Sequence, residues 1–122
     1  METINFTWQD FDKAADNLAE KLRPIAVRPT SIFGIPRGGL VLAVALSHRL
    51  GIRLLTVADN YCLVVDDISD TGRTLKYYQV RGYKIATIHR VSGTICEPDF
   101  WVSEKVRGDW IKYPWEVNDD RR

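Results

Sequence analysis

The sequence predicts an α/β fold in which a mainly parallel sheet is flanked by helices. Short apolar runs rich in β-branched residues alternate with segments of helical spacing, which is the pattern of repeated βαβ units. Glycine-containing turns separate several of these segments. One apolar run leads directly into paired carboxylates, an arrangement expected where the carboxyl end of a buried strand carries a binding site.

Length and composition are those of an ordinary globular protein. The chain has 122 residues, of which 45% are hydrophobic and 27% are charged, so we expect one domain spanning residues 1–122. A net charge of +1 gives no electrostatic reason to expect nucleic acid as a partner. No apolar run approaches the roughly 18 residues of a membrane span, and no signal peptide is expected. Two cysteines without metal-ligand spacing indicate a reduced, cytoplasmic setting.

The first predicted element is a helix that begins after Thr7. Thr7 is a favourable N-cap, and Asp10 lies three residues later, as in a capping box. Pro24 is expected to end the helix. Six apolar residues recur at helical spacing and predict one buried face: Phe11, Ala14, Ala15, Leu18, Ala19 and Leu22.

The next segments form the first half of a βαβ unit. A strand is predicted at residues 31–35, a turn at 36–39, and a helix at 40–50 that ends at Gly51. The paired glycines in the turn allow a ligand to approach the backbone closely, and the guanidinium of Arg37 suits phosphate oxygens. Such turns are often merely tight, so this one alone is weak evidence for a site.

The second and third strands are predicted at residues 53–57 and 63–66, with an unusually short connection between them. Both should run parallel to the first strand, and a parallel crossover usually needs about a dozen residues. Either this is a variant with a very short second strand, or a segment is missing from the sequence at this point. We favour the second explanation. An intact mass clearly above 14.0 kDa would support it, and a match to 14.0 kDa would exclude it.

The stretch 63–75, LVVDDISDTGRTL, contains most of the polar groups that suggest a site. Asp66 and Asp67 end the apolar strand, Asp70 follows, and a small-residue turn leads into a helix predicted at 71–80. Backbone N–H groups at a helix start, threonine hydroxyls and a glycine suit a phosphate. The carboxylates would repel phosphate, so we expect them to face sugar hydroxyls, a metal ion or both. No nucleotide P-loop motif is present.

This stretch resembles the phosphoribosyl-diphosphate (PRPP) signature of the type I phosphoribosyltransferases, and the turn at 36–39 resembles their pyrophosphate-binding loop. The resemblance implies a three-layer fold with about five strands in the order 2-1-3-4-5. The first and third strands then flank the switch point where ligands of open α/β sheets bind. The family also implies a strained or cis peptide beside Arg37 and a flexible catalytic loop near residues 58–61, for which this sequence has no residues.

The resemblance assigns roles to the acids and to the diphosphate loop. Mg²⁺ is the implied cofactor and neutralises the leaving diphosphate, with Asp67 as a metal contact. Asp66 and Asp67 would accept hydrogen bonds from the ribose, and Asp70 is expected to be the catalytic group that handles the purine's proton. The expected PRPP contacts are Arg37, Gly38, Gly39, Asp66, Asp67, Ile68, Ser69, Asp70, Thr71, Gly72, Arg73 and Thr74.

Two further strands are predicted at residues 84–88 and 99–102. His89 directly follows the first of them, and we interpret it as a partly exposed loop histidine without a functional role. Purine members of the family contact the base carbonyl with a lysine near this point. Arg90 could replace that lysine as a base contact.

The tail 110–116, WIKYPWE, resembles the ending of bacterial xanthine-guanine phosphoribosyltransferases. The resemblance implies that Trp110 stacks on the purine, that the backbone of Ile111 contacts it, and that Trp115 anchors the tail. Tryptophans in small proteins more often serve packing alone.

Together these resemblances imply a purine phosphoribosyltransferase of purine salvage. It would transfer the phosphoribosyl group of PRPP to guanine, xanthine or hypoxanthine, with a homodimer or homotetramer as the expected assembly. One alternative is a catalytically weak PRPP- or nucleotide-binding regulator of the same fold. Another is a transferase for a different acceptor base, which the tail argues against.

Overall fold

The computed structural model describes residues 2–25 and 28–117. Within this part of the chain, no helix is both long and apolar enough to cross a membrane. The elements in chain order are β1 (Thr3–Asn5), α1 (Trp8–Leu22), β2 (Ser31–Gly34), α2 (Gly38–Leu50), β3 (Arg53–Leu55), β4 (Cys62–Ser69), α3 (Arg73–Gln79), β5 (Lys84–Val91), β6 (Ser103–Lys105) and β7 (Trp110–Lys112).

Five parallel strands form the central sheet in the order β3-β2-β4-β5-β6. Counted within this sheet, that is the expected order 2-1-3-4-5. Side chains of α1 and α2 form one core with one face of the sheet, and Leu75 of α3 joins a second core that includes Phe33 and Val64. The three-layer α/β architecture is therefore confirmed. A separate parallel pair, β1 with β7, was not predicted.

The first helix is built as its sequence predicts. The hydroxyl of Thr7 accepts a hydrogen bond from the Asp10 N–H at 3.0 Å, and the Asp10 carboxylate accepts one from the Thr7 N–H at 2.9 Å. The helix ends at Leu22, before Pro24. All six residues of the predicted apolar face are buried, so this face packs into the core.

Two central strands are longer than predicted, because paired strands support each other beyond the apolar run. β4 continues to Ser69 and β5 continues to Val91, and Ser69 pairs with Arg90. Asp67 and His89 therefore lie within strands and not after them, and Asp66 lies inside its strand instead of at the strand's end. This changes which side chains can reach a ligand, because successive residues of a strand point to opposite faces.

The last strand of the sheet is displaced from its predicted position. β6 occupies residues 103–105 and not 99–102. The carboxylate of Asp99 instead accepts a hydrogen bond from the Ile85 N–H at 2.8 Å, and Phe100 forms only an isolated bridge with Ala86. The displaced register moves Lys105 into the sheet, where it pairs with Val91.

The short connection between β3 and β4 is sufficient because β3 has only three residues. Arg53 and Cys62 both lie beside Ser31 in register, so the chain must return over the length of only three residues. The Ser31 hydroxyl lies 3.2 Å from the Asp59 carboxylate, which also accepts a hydrogen bond from the Tyr61 N–H at 2.9 Å. The very short second strand of the first explanation is thus geometrically compatible with this fold.

Candidate active site

Two glycines bring the start of α2 against the strand that carries the acids. The Ile35 N–H donates to the Val65 carbonyl at 2.9 Å. A Cβ on Gly39 would lie 2.5 Å from that carbonyl oxygen and 3.0 Å from the Cα of Asp66, and one on Gly34 would lie 2.6 Å from the Gly39 oxygen. Real Cβ atoms do not approach so closely, so this contact requires glycine. The turn at 36–39 therefore packs directly against the strand that carries the acids.

The turn itself has the backbone feature that the family resemblance implies. The peptide bond between Pro36 and Arg37 is cis, and Arg37 is exposed. Gly38 is buried as the first residue of α2. The Gly39 N–H donates to the Ile35 carbonyl at 2.8 Å, so Gly39 contributes close approach, while its N–H is already used inside the turn.

The paired acids differ in accessibility. Asp66 is partly exposed, and its carboxylate accepts a hydrogen bond from the Asp67 N–H at 2.8 Å. Asp67 is fully buried. Asp66 is therefore the more accessible of the two acids, and the Asp67 carboxylate is enclosed by the protein. The reason is that β4 continues through both residues and turns their side chains to opposite faces.

The residues present fit Mg²⁺ only as an ion that arrives with a diphosphate. Within the described ranges, no group of three or more His, Cys, Asp or Glu side chains could hold a metal ion. Mg²⁺ is usually bound by one or two carboxylates together with phosphate oxygens and water. Asp66 is a partly exposed carboxylate beside the diphosphate-type turn, so it is the acid whose placement suits such an ion.

The loop after β4 packs on residues 94–96 through its backbone and leaves four of its side chains exposed. The Ile95 N–H donates to the Thr71 carbonyl at 3.0 Å. Gly72 has φ 86°, and a Cβ there would lie 2.5 Å from both the Cys96 nitrogen and the Thr94 hydroxyl oxygen, so glycine is required for conformation and for space. The side chains that remain exposed are those of Asp70, Thr71, Arg73 and Thr74.

Ser69 does not present its hydroxyl to this loop. The hydroxyl donates to the Cys96 carbonyl at 2.7 Å and lies 2.9 Å from the Thr94 hydroxyl. Ser69 is also buried. Of the expected phosphate cradle, Ser69 could therefore offer only its backbone.

A cavity of about 350 Å³ joins the loop after β4 to the aromatic tail. Trp110 and Ile111 lie in its wall, as the resemblance implies, and Asp70 lies at its edge, 3.6 Å from the guanidinium of Arg107. Trp115 packs behind the wall, with its ring stacked on that of Tyr113 at 4.9 Å. The cavity is lined by Ile68, Asp70, Thr71, Thr74, Lys105, Trp110, Ile111, Tyr113 and Glu116.

Arg90 does not line this cavity. Its guanidinium pairs with Glu97 at 3.0 Å and with Glu104 at 2.8 Å, and it packs over the Trp101 ring. Lys105 occupies the cavity wall instead and is only 7% exposed. Sequence reasoning missed Lys105 because the last strand was predicted four residues too early. A lysine five residues before the tryptophan of the tail was the available signal.

His89 is not the exposed loop residue that its position suggested. It is 5% exposed, and its Nδ1 lies 2.9 Å from the Tyr113 hydroxyl. Burial lowers the pKa of His89 to about 4, with a further lowering by Lys105 and an opposing effect of Asp67. The imidazole is therefore neutral near pH 7.

Comparisons with known proteins identify the fold and the family. No family model matches the chain. A solved purine phosphoribosyltransferase from Pyrococcus horikoshii is 33% identical, with a TM-score of 0.83 over 100% of this chain and 99% of that one. The xanthine-guanine phosphoribosyltransferase of Idiomarina loihiensis is 27% identical over 139 residues, covering 92% of this chain and 86% of that protein.

A Helicobacter pylori xanthine-guanine-hypoxanthine phosphoribosyltransferase shares 21% identity and the same fold, with a TM-score of 0.78 over 95% of each chain. The order of the sheet, the close packing of the 36–39 turn on the strand that carries the acids, and the pyrococcal relative all lead to one assignment. The chain belongs to the type I phosphoribosyltransferases, with purine enzymes among its relatives.

Proposed function

We propose that this phosphoribosyltransferase transfers the 5-phosphoribosyl group of PRPP to a 6-oxopurine. The products are a purine nucleoside monophosphate and pyrophosphate, and the role is purine salvage in the cytoplasm. The observation that carries the proposal is the cavity in which the loop with Asp70 and Thr74 adjoins Trp110 and Lys105. The loop would then bind the phosphate of a nucleotide, and the aromatic wall with its lysine would bind the base.

The diphosphate end of PRPP is assigned to the turn at 36–39. Arg37 is exposed there and offers a forked, permanently charged donor to the diphosphate oxygens. Asp66 lies beside the turn and accepts hydrogen bonds from the ribose hydroxyls. Mg²⁺, when bound with PRPP, supplies positive charge for the leaving diphosphate. The 5′-phosphate lies against the exposed threonines and Arg73 of the loop after β4.

Bond exchange occurs at the anomeric carbon of the ribose. The bond from that carbon to the diphosphate oxygen breaks, and a ring nitrogen of the purine forms the new bond. Positive charge develops on the sugar as the diphosphate leaves, so the field of Asp66 and Asp67 stabilises it. Asp70 takes up the proton that the purine nitrogen loses.

The base is held between aromatic and charged groups of the cavity wall. Trp110 provides the stacking surface, and the backbone of Ile111 contacts the exocyclic group. We assign the contact to the 6-oxo group to Lys105 in place of Arg90, because Lys105 lines the cavity whereas Arg90 is paired with Glu97 and Glu104. An ammonium donor favours a carbonyl at this position over the amino group of adenine.

A second candidate is a PRPP- or nucleotide-binding regulator with weak catalysis. The short connection at residues 56–61 favours it, because a catalytic loop that excludes water from a reactive sugar cation has no residues there. An intact mass of 14.0 kDa would establish the short connection. A clearly larger mass would show that a segment is missing from the sequence.

One assay distinguishes the two candidates. The protein is incubated with PRPP, Mg²⁺ and guanine, xanthine, hypoxanthine, adenine or uracil, and the release of pyrophosphate is followed. We expect turnover with at least one 6-oxopurine and little with adenine or uracil. Binding of PRPP without turnover on any base would refute the transferase and support the regulator.

The same proposal includes a homodimer or homotetramer. Large side chains remain more than half exposed on the surface, among them Trp8 and Tyr77. Light scattering at several protein concentrations tests this assembly, and a monomer at all concentrations would contradict it.

A further inference from the structure

A buried polar pair lies behind the cavity wall. His89 on β5 is 5% exposed, and Tyr113, just after β7, is 3% exposed. The His89 Nδ1 and the Tyr113 hydroxyl oxygen are 2.9 Å apart. The mechanism above uses neither side chain, although Tyr113 is part of the cavity lining.

The hydroxyl of Tyr113 connects three segments of the chain. Besides His89 it reaches the Asp67 carbonyl oxygen of β4 at 3.4 Å. A carbonyl can only accept, so when both bonds form, the hydroxyl donates to Asp67 and accepts from an Nδ1–H of His89. The pair thereby ties the segment 110–113, which we call the base wall, to the two central strands β4 and β5.

Aromatic packing fixes the same two rings but does not replace the polar contact. The Phe6 ring lies edge-on to His89 at 5.0 Å and to Tyr113 at 5.6 Å, and the Trp115 ring stacks on that of Tyr113. Rings packed in this way keep their plane. The hydrogen bond to His89 sets the position of Tyr113 along that plane. Loss of a partner from a buried hydroxyl costs free energy, so the arrangement becomes less stable.

Burial favours the neutral form of His89 and is the largest of the effects that lower its pKa to about 4. Asp67 on β4 raises this pKa and Lys105 on β6 lowers it, each by less than burial does. A neutral imidazole leaves Lys105 as the cation on this side of the cavity. The hydrogen-bonded pair is therefore compatible with a charged Lys105 at neutral pH.

We propose that His89 is a positioning residue for the purine: through Tyr113 it holds the base wall at the spacing from the loop after β4 that a purine needs. This rests on the proposed function, because it assigns the cavity to the base. His89 itself touches neither substrate. Its effect should therefore appear in the affinity for the base and not in the affinity for PRPP.

The test compares His89→Leu, His89→Asn, Tyr113→Phe and the double variant His89→Leu/Tyr113→Phe. We expect His89→Leu and Tyr113→Phe each to raise the KM for the 6-oxopurine about tenfold, the scale of one lost buried hydrogen bond. The KM for PRPP should stay near that of wild type. His89→Asn should recover most of the base affinity, because its amide can bond the Tyr113 hydroxyl. The double variant should be no worse than either single one.

His48→Leu is the matched control, since His48 is the other histidine and lies exposed on α2. Thermal melting shows whether a variant has lost its fold or only the position of the base wall. If His89→Leu fails to fold, Tyr113→Phe still tests the proposal, because it removes only one oxygen. Equal rises in both KM values, additive single effects or no rescue by Asn would overturn the proposal. A wild-type chain that turns over no purine would refute the proposed function as well, whereas normal wild-type turnover with unaffected variants would refute this inference alone.

Discussion

Gly39 lies so close to Val65 that a Cβ on the glycine would be 2.5 Å from the valine carbonyl oxygen. This contact sets the distance between the diphosphate-type turn and the strand that carries the acids. We expect Gly39→Ala to displace the start of α2, to reduce the free energy of unfolding by about 1–3 kcal/mol, and to weaken PRPP binding strongly. Calorimetric titration with PRPP and Mg²⁺ measures the effect.

Gly51→Ala is the control for Gly39→Ala. Gly51 has φ 66° and open space around it, so the added methyl group costs roughly 1–2 kcal/mol of backbone strain far from the cleft. Both variants should lose stability, but Gly39→Ala alone should lose PRPP affinity. Wild-type PRPP affinity in Gly39→Ala would show that the close approach is not needed for binding.

Asp70 is exposed at the edge of the cavity and is assigned the transfer of the purine's proton. Asp70→Asn keeps the shape but cannot take up a proton, so kcat should fall about 10²- to 10⁴-fold with little change in PRPP affinity. Steady-state kinetics and PRPP titration measure the two effects. Asp12→Asn, at an exposed position of α1, is the control. Equal losses in turnover and PRPP affinity would refute the assigned role.

Replacing Lys105 or Arg90 with methionine tests which of the two contacts the 6-oxo group of the base. Lys105→Met should raise the KM for 6-oxopurines on the order of 10- to 100-fold, because a charge-assisted hydrogen bond to the 6-oxo group is lost. Arg90→Met should leave that KM near wild type and lower stability, because Glu97 and Glu104 lose their partner. The reverse pattern would return the base contact to Arg90.

The pH dependence of stability follows from His89. Its pKa is about 4 in the folded chain and 6.5 as the ordinary value, so the unfolded chain binds a proton at pH values where the folded chain does not. The contribution of neutral His89 to the free energy of unfolding is fully present above about pH 6.5. About 3 kcal/mol of this free energy is lost as the pH falls towards 4. Denaturant unfolding at several pH values should therefore show a weaker pH dependence in His89→Gln. An unchanged pH profile would contradict the assigned environment of His89.

Local patterns determined much of this protein. The capping box at Thr7 and the buried face of α1 follow from short-range chemistry, whereas the order of the sheet was implied by the family resemblance. A capping residue, an apolar spacing or a strand that ends in acids each needs only neighbours in sequence. The tail was placed near the loop by family resemblance, and Trp110 does line the same cavity as Asp70.

Tertiary structure decided which side chains face the cleft. Strand pairing extended β4 and β5, buried Asp67 and His89, and kept Ser69 inside a hydrogen-bonded cluster. Arg90 on β5 pairs with Glu97 and Glu104, and the displaced β6 places Lys105 at the cavity. The physical reason is that a shift of a single residue along a strand reverses the face of every side chain, and the register depends on partners distant in sequence. The sequence determined which groups are available, and only the paired strands decided which of them a ligand can meet.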